Sequence, residues 1–421
     1  MTHLPPKKNW LGAISGRDLR RAGIVLLVLY VMAGIAYSFL LPAVGRFPDE
    51  KEYLALSNHL VHGPGFSMDG VHLTASRSPG YVFFLAALQT FGAGVGVMRV
   101  AQFFLMAGTI FLACRLCHQG RRETDLLLVT GLVLLYPVLF YTAATLYPQT
   151  LAGFLFIAAL AQLLSVKRGL LLDLTTGVTF GALMVVVPTF ALTFVLALGA
   201  AWLLKLLRWP SALIMILAAG VVISGWTIRN EVEFHQFVPF ASNSGNNFLI
   251  GNCENTVPYG GSGNVDRTRY WKIAQDRGLD EFQQDRFFQQ AAFAWIEQHP
   301  GQAAVLYLEK TLNYFNVWNE YAPGSQAEVS FWKQVVMAVS YVVLLALLAW
   351  RLLEMKRFPL SAQERLLLSV YVLSSFTLAI FLTRIRFRLP YDYLIIAMIA
   401  THLSRRWQLW TGRKAGMGND V

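Results

Sequence analysis

Charge is what this 421-residue chain has least of: Asp, Glu, Lys and Arg together make up 14% of it, where an ordinary soluble domain carries about a quarter. With 55% hydrophobic residues and a mean hydropathy of +0.48, that scarcity excludes a soluble globular protein and points to an α-helical polytopic membrane protein. Cysteine is scarce too. Cys114, Cys117 and Cys253 give no disulfide framework. No internal repeat or low-complexity segment is visible. The Gly-rich stretch SNSGNNFLIGN (residues 242–252) lacks the Gly-Lys-Ser/Thr of a nucleotide loop, so it reads as the floor of a loop against the membrane. Acidic residues are fewer than basic ones, 24 against 35, for a formal charge of +11. The basic excess lies at the ends of apolar runs, where it reads as topology and not as a nucleic-acid surface.

Apolar runs long enough to cross a bilayer begin near Ala22, Val95, Asp125, Pro148, Leu170, Thr189, Ser211, Phe331, Gln363 and Tyr391, about ten spans in all. The N-terminal run follows Lys7, Lys8, Arg17, Arg20 and Arg21 with no small-x-small cleavage site, so it is expected to stay as a first span, its basic flank in the cytoplasm. Arg115/Arg121/Arg122, Lys167/Arg168, Lys205/Arg208, Arg351/Lys356/Arg357 and the tail from Arg405 to Lys414 then share the cytoplasmic side. This alternation closes only if PGYVFFLAALQTF (79–91), too short to span, is an interfacial helix.

Three regions follow: 1–228, with a first outer loop at 42–94; an extracytoplasmic loop region at 229–330; and 331–421, closing spans and a basic tail. The second loop holds 12 of the 24 acidic residues, so it is expected to be a small folded element. Within it, DEFQQDRFFQQAAFAWIEQHPG has helical apolar spacing and a Pro-Gly stop. Trp271, Trp295, Tyr314, Phe315 and Trp318 fit an interfacial belt, and equally rings on which a sugar stacks.

Two clusters carry chemistry. RFPDEKEY (46–53) puts Asp49, Glu50 and Glu52 just past the outer end of the first span, with Pro48 opening a helix. A solvated helix start explains carboxylates there as well as a catalytic base does. RIRFRLP (384–390) puts Arg384, Arg386 and Arg388 on the outer side, against the positive-inside bias. Guanidiniums kept there suit a phosphate, or the loop's own acids and anionic headgroups. CRLCH (114–118) spells a haem-attachment pattern on the wrong side of the membrane, and His59, His62 and His72 read as polar-face histidines rather than a metal site.

The ordered set FPDEKEYLALSNHLVHGPGF, RSPGYVFFLAAL, LYPQTLAGFLF, WTIRNEVEFHQFVPFASNSGNNFLIGN, AAFAWIEQHPGQAAVLYLEKTLNYF and RFRLPYDYLII resembles the bacterial branch of the dolichyl-phosphate-mannose protein mannosyltransferase superfamily. These are membrane glycosyltransferases of the GT-C fold and include the lipid A aminoarabinose transferases. The resemblance implies Asp49 as general base with Glu50 as its partner, and Arg77, Arg384, Arg386 and Arg388 near the donor phosphate. It further implies Tyr53, Tyr81, Gln149, Arg229 and Asn230 as acceptor-facing or supporting groups. The implied donor is a sugar on a polyprenyl phosphate, passed with inversion to a glycan, lipid or protein at the outer face of a bacterial inner membrane, without nucleotide sugar or haem. Two departures stand out: Tyr147-Pro148-Gln149 where the family has a Glu, and Val187-Pro188-Thr189 where it has Arg-Pro-Thr. They leave a divalent metal ion open and admit an inactive assembly subunit. A transporter of lipid-linked sugars is the reading from another class; it calls for ionisable groups in mid-membrane and inverted repeats.

Overall fold

The computed structural model describes residues 15–117, 123–259, 265–318 and 330–411. Lys7, Lys8, His118, Arg121, Arg122 and Lys414 lie outside them. The described residues form seventeen α-helices and no strand, with one isolated bridge between Ser67 and Leu73.

Each of the ten apolar runs becomes helix: α1 (Gly16–Leu40), α4 (Val95–Leu116), α5 (Asp125–Leu134) continued after a break by α6 (Val138–Ala143), α7 (Gln149–Leu163), α8 (Leu170–Val186), α9 (Phe190–Leu203), α10 (Trp209–Phe234), α15 (Phe331–Leu353), α16 (Ala362–Ala379) and α17 (Ile385–Trp410). Four helices, those starting at Gly16, Val95, Trp209 and Phe331, are long and apolar enough to cross a membrane unaided, and four shorter apolar ones lie among them. The break between α5 and α6 falls at Pro137, which cannot donate into a helix. Between α8 and α9 the chain turns at Val187, in extended conformation before Pro188.

The first outer loop supplies α2 (Pro48–His62) and α3 (Pro79–Thr90); the second supplies α11 (Ser244–Gly251), α12 (Thr268–Asp276), α13 (Glu281–Gln298) and α14 (Pro300–Asn313). Helix α13 starts where its sequence says it should, Asp280 accepting from the backbone N–H groups of Phe282 (2.9 Å) and Gln283 (2.8 Å), and Pro300 ends it. SNSGNNFLIGN is not a bare loop but α11. A Cβ on Gly245 would lie 2.0 Å from the carbonyl of Asp285, and one on Gly251 1.8 Å from that of Phe381, so both glycines permit close helix packing.

Helix α17 runs through the centre, buried without interruption from Arg388 to His402. Around it, α1 and α10 keep apolar side chains such as Leu29 and Val221 on the outside, as helices facing lipid do. Helices α8 and α10 touch closely at Gly177 and Gly181, one turn apart, where any side chain would strike Met215 and Val222. Two aromatics expected in a surface belt are core residues instead: Tyr314 packs on Tyr371 and Tyr391, and Trp295 is buried on α13.

Candidate active site

Proline at the first position fixes the start of α2, and Glu50 caps it. The Glu50 carboxylate accepts from the backbone N–H groups of Arg46 and Phe47 (3.1 Å for the latter), while its other oxygen accepts from Leu146 N–H at 2.7 Å. Arg46 reaches the same turn, donating to Ala144 O (3.2 Å) and Thr145 Oγ1 (3.3 Å), and the fully buried Arg99 holds the exit of α1 through Pro42 O (2.7 Å) and Val44 O (3.2 Å). Glu50 is therefore a tie between α2 and the turn before α7. Its expected partnership with Asp49 is corrected to a structural role, since its fully buried carboxylate is taken up by three backbone N–H groups.

Asp49 and Glu52, three residues apart, share the other face of α2. Arg77 lies between them, its Nη2 3.0 Å from Asp49 Oδ1 and its Nε 2.7 Å from Glu52, with a further contact from Nη2 to Glu52. Arg386, from the first turn of α17, donates to Asp49 Oδ2 at 2.9 Å. Each Asp49 oxygen thus meets one guanidinium. Burial acts to raise the Asp49 carboxyl, but the charges of Arg386 and Arg77, with their hydrogen bonds, outweigh it and hold the group at about 2. Glu52, to which the resemblance gives no role, is an integral part of this cluster. Only tertiary packing reveals it, since Arg77 is 25 residues away in sequence.

The cluster forms one wall of a cavity of about 300 Å³. Asp49 and Tyr53 of α2, Arg77, the Tyr147–Gln149 turn, the Val186–Thr189 turn, the segment from Pro239 to Asn247 and the end of α16 with Arg386 all line it. These are the turns that the charge alternation assigns to one side of the membrane, and they converge on one site. The opposite helix ends meet elsewhere: Leu19, Thr124, Arg357, Leu403 and Trp410 line a separate cavity.

Several expected residues lie away from the site. Arg388 is buried at the bundle axis, where it donates to Tyr314 O (2.8 Å), Asn316 O (3.0 Å) and Tyr136 Oη (3.2 Å), pairs with Asp392 (3.3 Å) and lies 3.5 Å above the ring of Tyr341. Its place near the donor phosphate is corrected to a structural one, because four hydrogen bonds to protein partners and the Tyr341 ring hold its buried guanidinium. The same pair places ionisable groups inside the helix bundle, one of the two features a transporter calls for, with Tyr136 and Tyr371 completing the Asp392 shell. Arg384 is buried at the start of α17 and does not line the cavity. Tyr81 donates to Gln102 inside the core, and only Tyr53, edge-on against it and beside Arg77, reaches the cavity.

Arg229 and Asn230 are likewise fasteners. Arg229 donates to Thr74 O (3.0 Å) and Asn230 Oδ1 (2.9 Å) and lies 4.8 Å from the rings of both Trp226 and Phe234, and Asn230 donates to Val238 O at 2.8 Å. Glu281 continues the seam by accepting from Thr74 Oγ1 (2.6 Å), Ala75 N–H (3.0 Å) and Ser242. A second seam is made by Lys310, whose Nζ donates to Gly251 O (2.7 Å), Asn252 Oδ1 (3.1 Å) and Phe381 O (3.0 Å), and whose ammonium burial pushes down to about 7. Through Phe381 it fixes the turn that carries Arg386. No sequence pattern singled out Lys310, and only its placement in an amphipathic helix among apolar neighbours hints at it.

Among the described residues no three His, Cys, Asp or Glu side chains converge, and both Asp49 oxygens face guanidiniums. Of the three histidines in the first outer loop, His59 faces the carbonyl of Ser67 (2.9 Å) and His72 pairs with Asp69 (2.8 Å).

The chain matches no protein-family model and no curated protein. It is similar in structure to ArnT from Cupriavidus metallidurans. Against the crystal structure of that protein bound to undecaprenyl phosphate the identity is 14% and the TM-score 0.44, over 91% of this chain and 78% of that one. Against its apo state the values are 13% and 0.39, over 90% and 78%.

Proposed function

We propose that this chain is a GT-C-type membrane glycosyltransferase that takes a sugar from a polyprenyl-phosphate carrier and passes it, with inversion, to a hydroxyl of an extracytoplasmic acceptor. One observation carries the proposal: a carboxylate gripped by two guanidiniums, one from the first outer loop and one from the first turn of α17, at the wall of a cavity otherwise lined mainly by apolar and neutral polar groups. Six motifs in family order support it from the sequence side.

In this reading the carrier phosphate enters beside Arg386 and Arg77, which fork onto its oxygens. Asp49, held at about 2 by those arginines, is by itself a weak base. The incoming phosphate draws their charge away from Asp49, so the carboxylate gains basicity as the donor binds. Asp49 then takes the proton of the acceptor hydroxyl as that oxygen bonds to the anomeric carbon. The bond from that carbon to the phosphate oxygen breaks on the opposite side, and the arginines stabilise the leaving phosphate.

The test uses membranes containing the chain, given undecaprenyl phosphate carrying radiolabelled sugars. Label should move to an acceptor fraction and bare undecaprenyl phosphate should accumulate. Arg386→Ala should abolish both. Intact donor with the unaltered chain, across hexose and pentose donors, would overturn the proposal.

A further inference from the structure

The charged groups at the cavity form a closed set. Asp49, Arg77 and Arg386 are the charged side chains that line it, and Glu52 stands behind Arg77. Two carboxylates and two guanidiniums neutralise one another. The other polar lining groups, among them Tyr53, Ser78, Tyr147, Gln149, Asn243 and Asn247, are uncharged. Gln149 is distinctive among them. It is the first residue of α7, its side chain is 6% exposed, and its amide oxygen is buried without a hydrogen-bond partner. An acceptor left in that state costs free energy that a ligand O–H or N–H would recover.

Resting on the glycosyltransferase reading, we infer that the sugar delivered is uncharged, and that Gln149 recognises one of its hydroxyls. A sugar bearing an ammonium would need a carboxylate of its own, whereas Glu52 is held by Arg77 and Asp49 faces the acceptor hydroxyl in the proposed reaction. A sugar bearing a carboxylate would need a guanidinium, and both are required for the carrier phosphate. A neutral sugar makes neither demand, and its hydroxyls suit amide and hydroxyl partners, which donate and accept in turn. Burying an unpaired charge against such groups is strongly unfavourable.

The experiment measures binding to the purified full chain in lipid nanodiscs. The probes are bare undecaprenyl phosphate and the same carrier bearing glucose, galactose or mannose, 4-amino-4-deoxyarabinose, or galacturonic acid. At least one neutral sugar should bind tighter than either charged sugar by about tenfold or more. Gln149→Leu should remove that advantage while leaving the bare carrier's affinity unchanged, a pattern that general loss of structure would not give. Gln149→Glu, which keeps the shape, should weaken the neutral sugars and improve the amino sugar. Tighter binding of a charged sugar, or a neutral advantage untouched in both variants, overturns the inference while the transferase reading stands. Failure of the bare carrier and every donor to bind overturns the transferase reading and this inference together.

Discussion

Asp49→Asn tests the site most directly, because the structure predicts opposite effects on binding and on turnover. The Asp49 side chain is 17% exposed and that of Arg386 10%, so their contact is only partly screened. Moving the carboxyl from 3.8 to about 2 corresponds to about 2 to 3 kcal/mol in favour of the ionised, clamped form. Asparagine keeps the shape and loses this term. Arg77 retains Glu52, whereas Arg386 loses the carboxylate that faces it, so the variant should unfold more readily by about that amount. Bare undecaprenyl phosphate no longer has to displace a carboxylate from Arg386, and it should bind the variant roughly 10- to 50-fold tighter than the unaltered chain. Sugar transfer should nevertheless fall by about two to four orders of magnitude, as removal of a general base does. Thermal unfolding in detergent with and without the lipid phosphate, beside a labelled-sugar transfer assay, reads all three quantities. Weaker lipid binding by the variant would show that Asp49 and phosphate do not compete for one guanidinium, and unchanged transfer would remove the base from Asp49.

The pH dependence of that clamp follows from the same residue. Since the folded carboxyl lies below its unfolded value, its stabilisation is full above about pH 4 and is lost as pH falls through about 2; the difference in melting temperature between the unaltered chain and Asp49→Asn should be constant from pH 5 to 8, and a change within that range would contradict the assignment. Glu50→Gln sets an amide against backbone donors and should cost about 1 to 3 kcal/mol of stability, with transfer per folded molecule preserved; selective loss of transfer at unaltered stability would return Glu50 to the chemistry. Arg388→Lys cannot reproduce the contacts around Tyr136, Tyr314 and Asp392 and should destabilise by about 3 to 5 kcal/mol, while folded protein binds undecaprenyl phosphate normally. Val71, 70% exposed in the first outer loop, should accept a cysteine that reacts with an impermeant thiol reagent in intact cells; Ser67, fully buried beside Asp69, should not. Labelling of Val71→Cys only after lysis would invert the topology.

The helix map was legible because it rests on two strong signals, apolar length and the alternation of Lys and Arg, which do not depend on which helices touch. Helix starts with local chemistry were legible for the same reason: Pro48 opens α2, and Asp280 with Gln283 opens α13. The seams made by Arg229, Glu281 and Lys310 were not, because their partners lie 155, 206 and 71 residues away. Nor could hydropathy tell a belt aromatic from a core one, as Tyr314 shows.

The two clusters that carry chemistry erred in one shared way, and helix geometry explains it. Adjacent residues on an α-helix point about 100° apart, and residues two apart about 200°. Asp49 and Glu50 therefore cannot serve one site, whereas Asp49 and Glu52, three apart, can; it is Glu52 that joins Asp49 on Arg77, while Glu50 faces the core. Likewise Arg386 and Arg388 cannot both face a cavity from one helix. Which of them faces inward was readable from Asp392, four residues beyond Arg388 and placed to pair with it along the helix, leaving Arg386 for the cavity. Helix geometry alone does not supply the second guanidinium, Arg77, which only the family resemblance set near the donor phosphate. Arg77 and Arg386 are 309 positions apart in numbering, on segments whose meeting depends on the whole bundle. The arginine pair that a lipid phosphate would need is thus not the RxR motif itself but one residue of that motif and one from the first outer loop, with Asp49 holding the place between them.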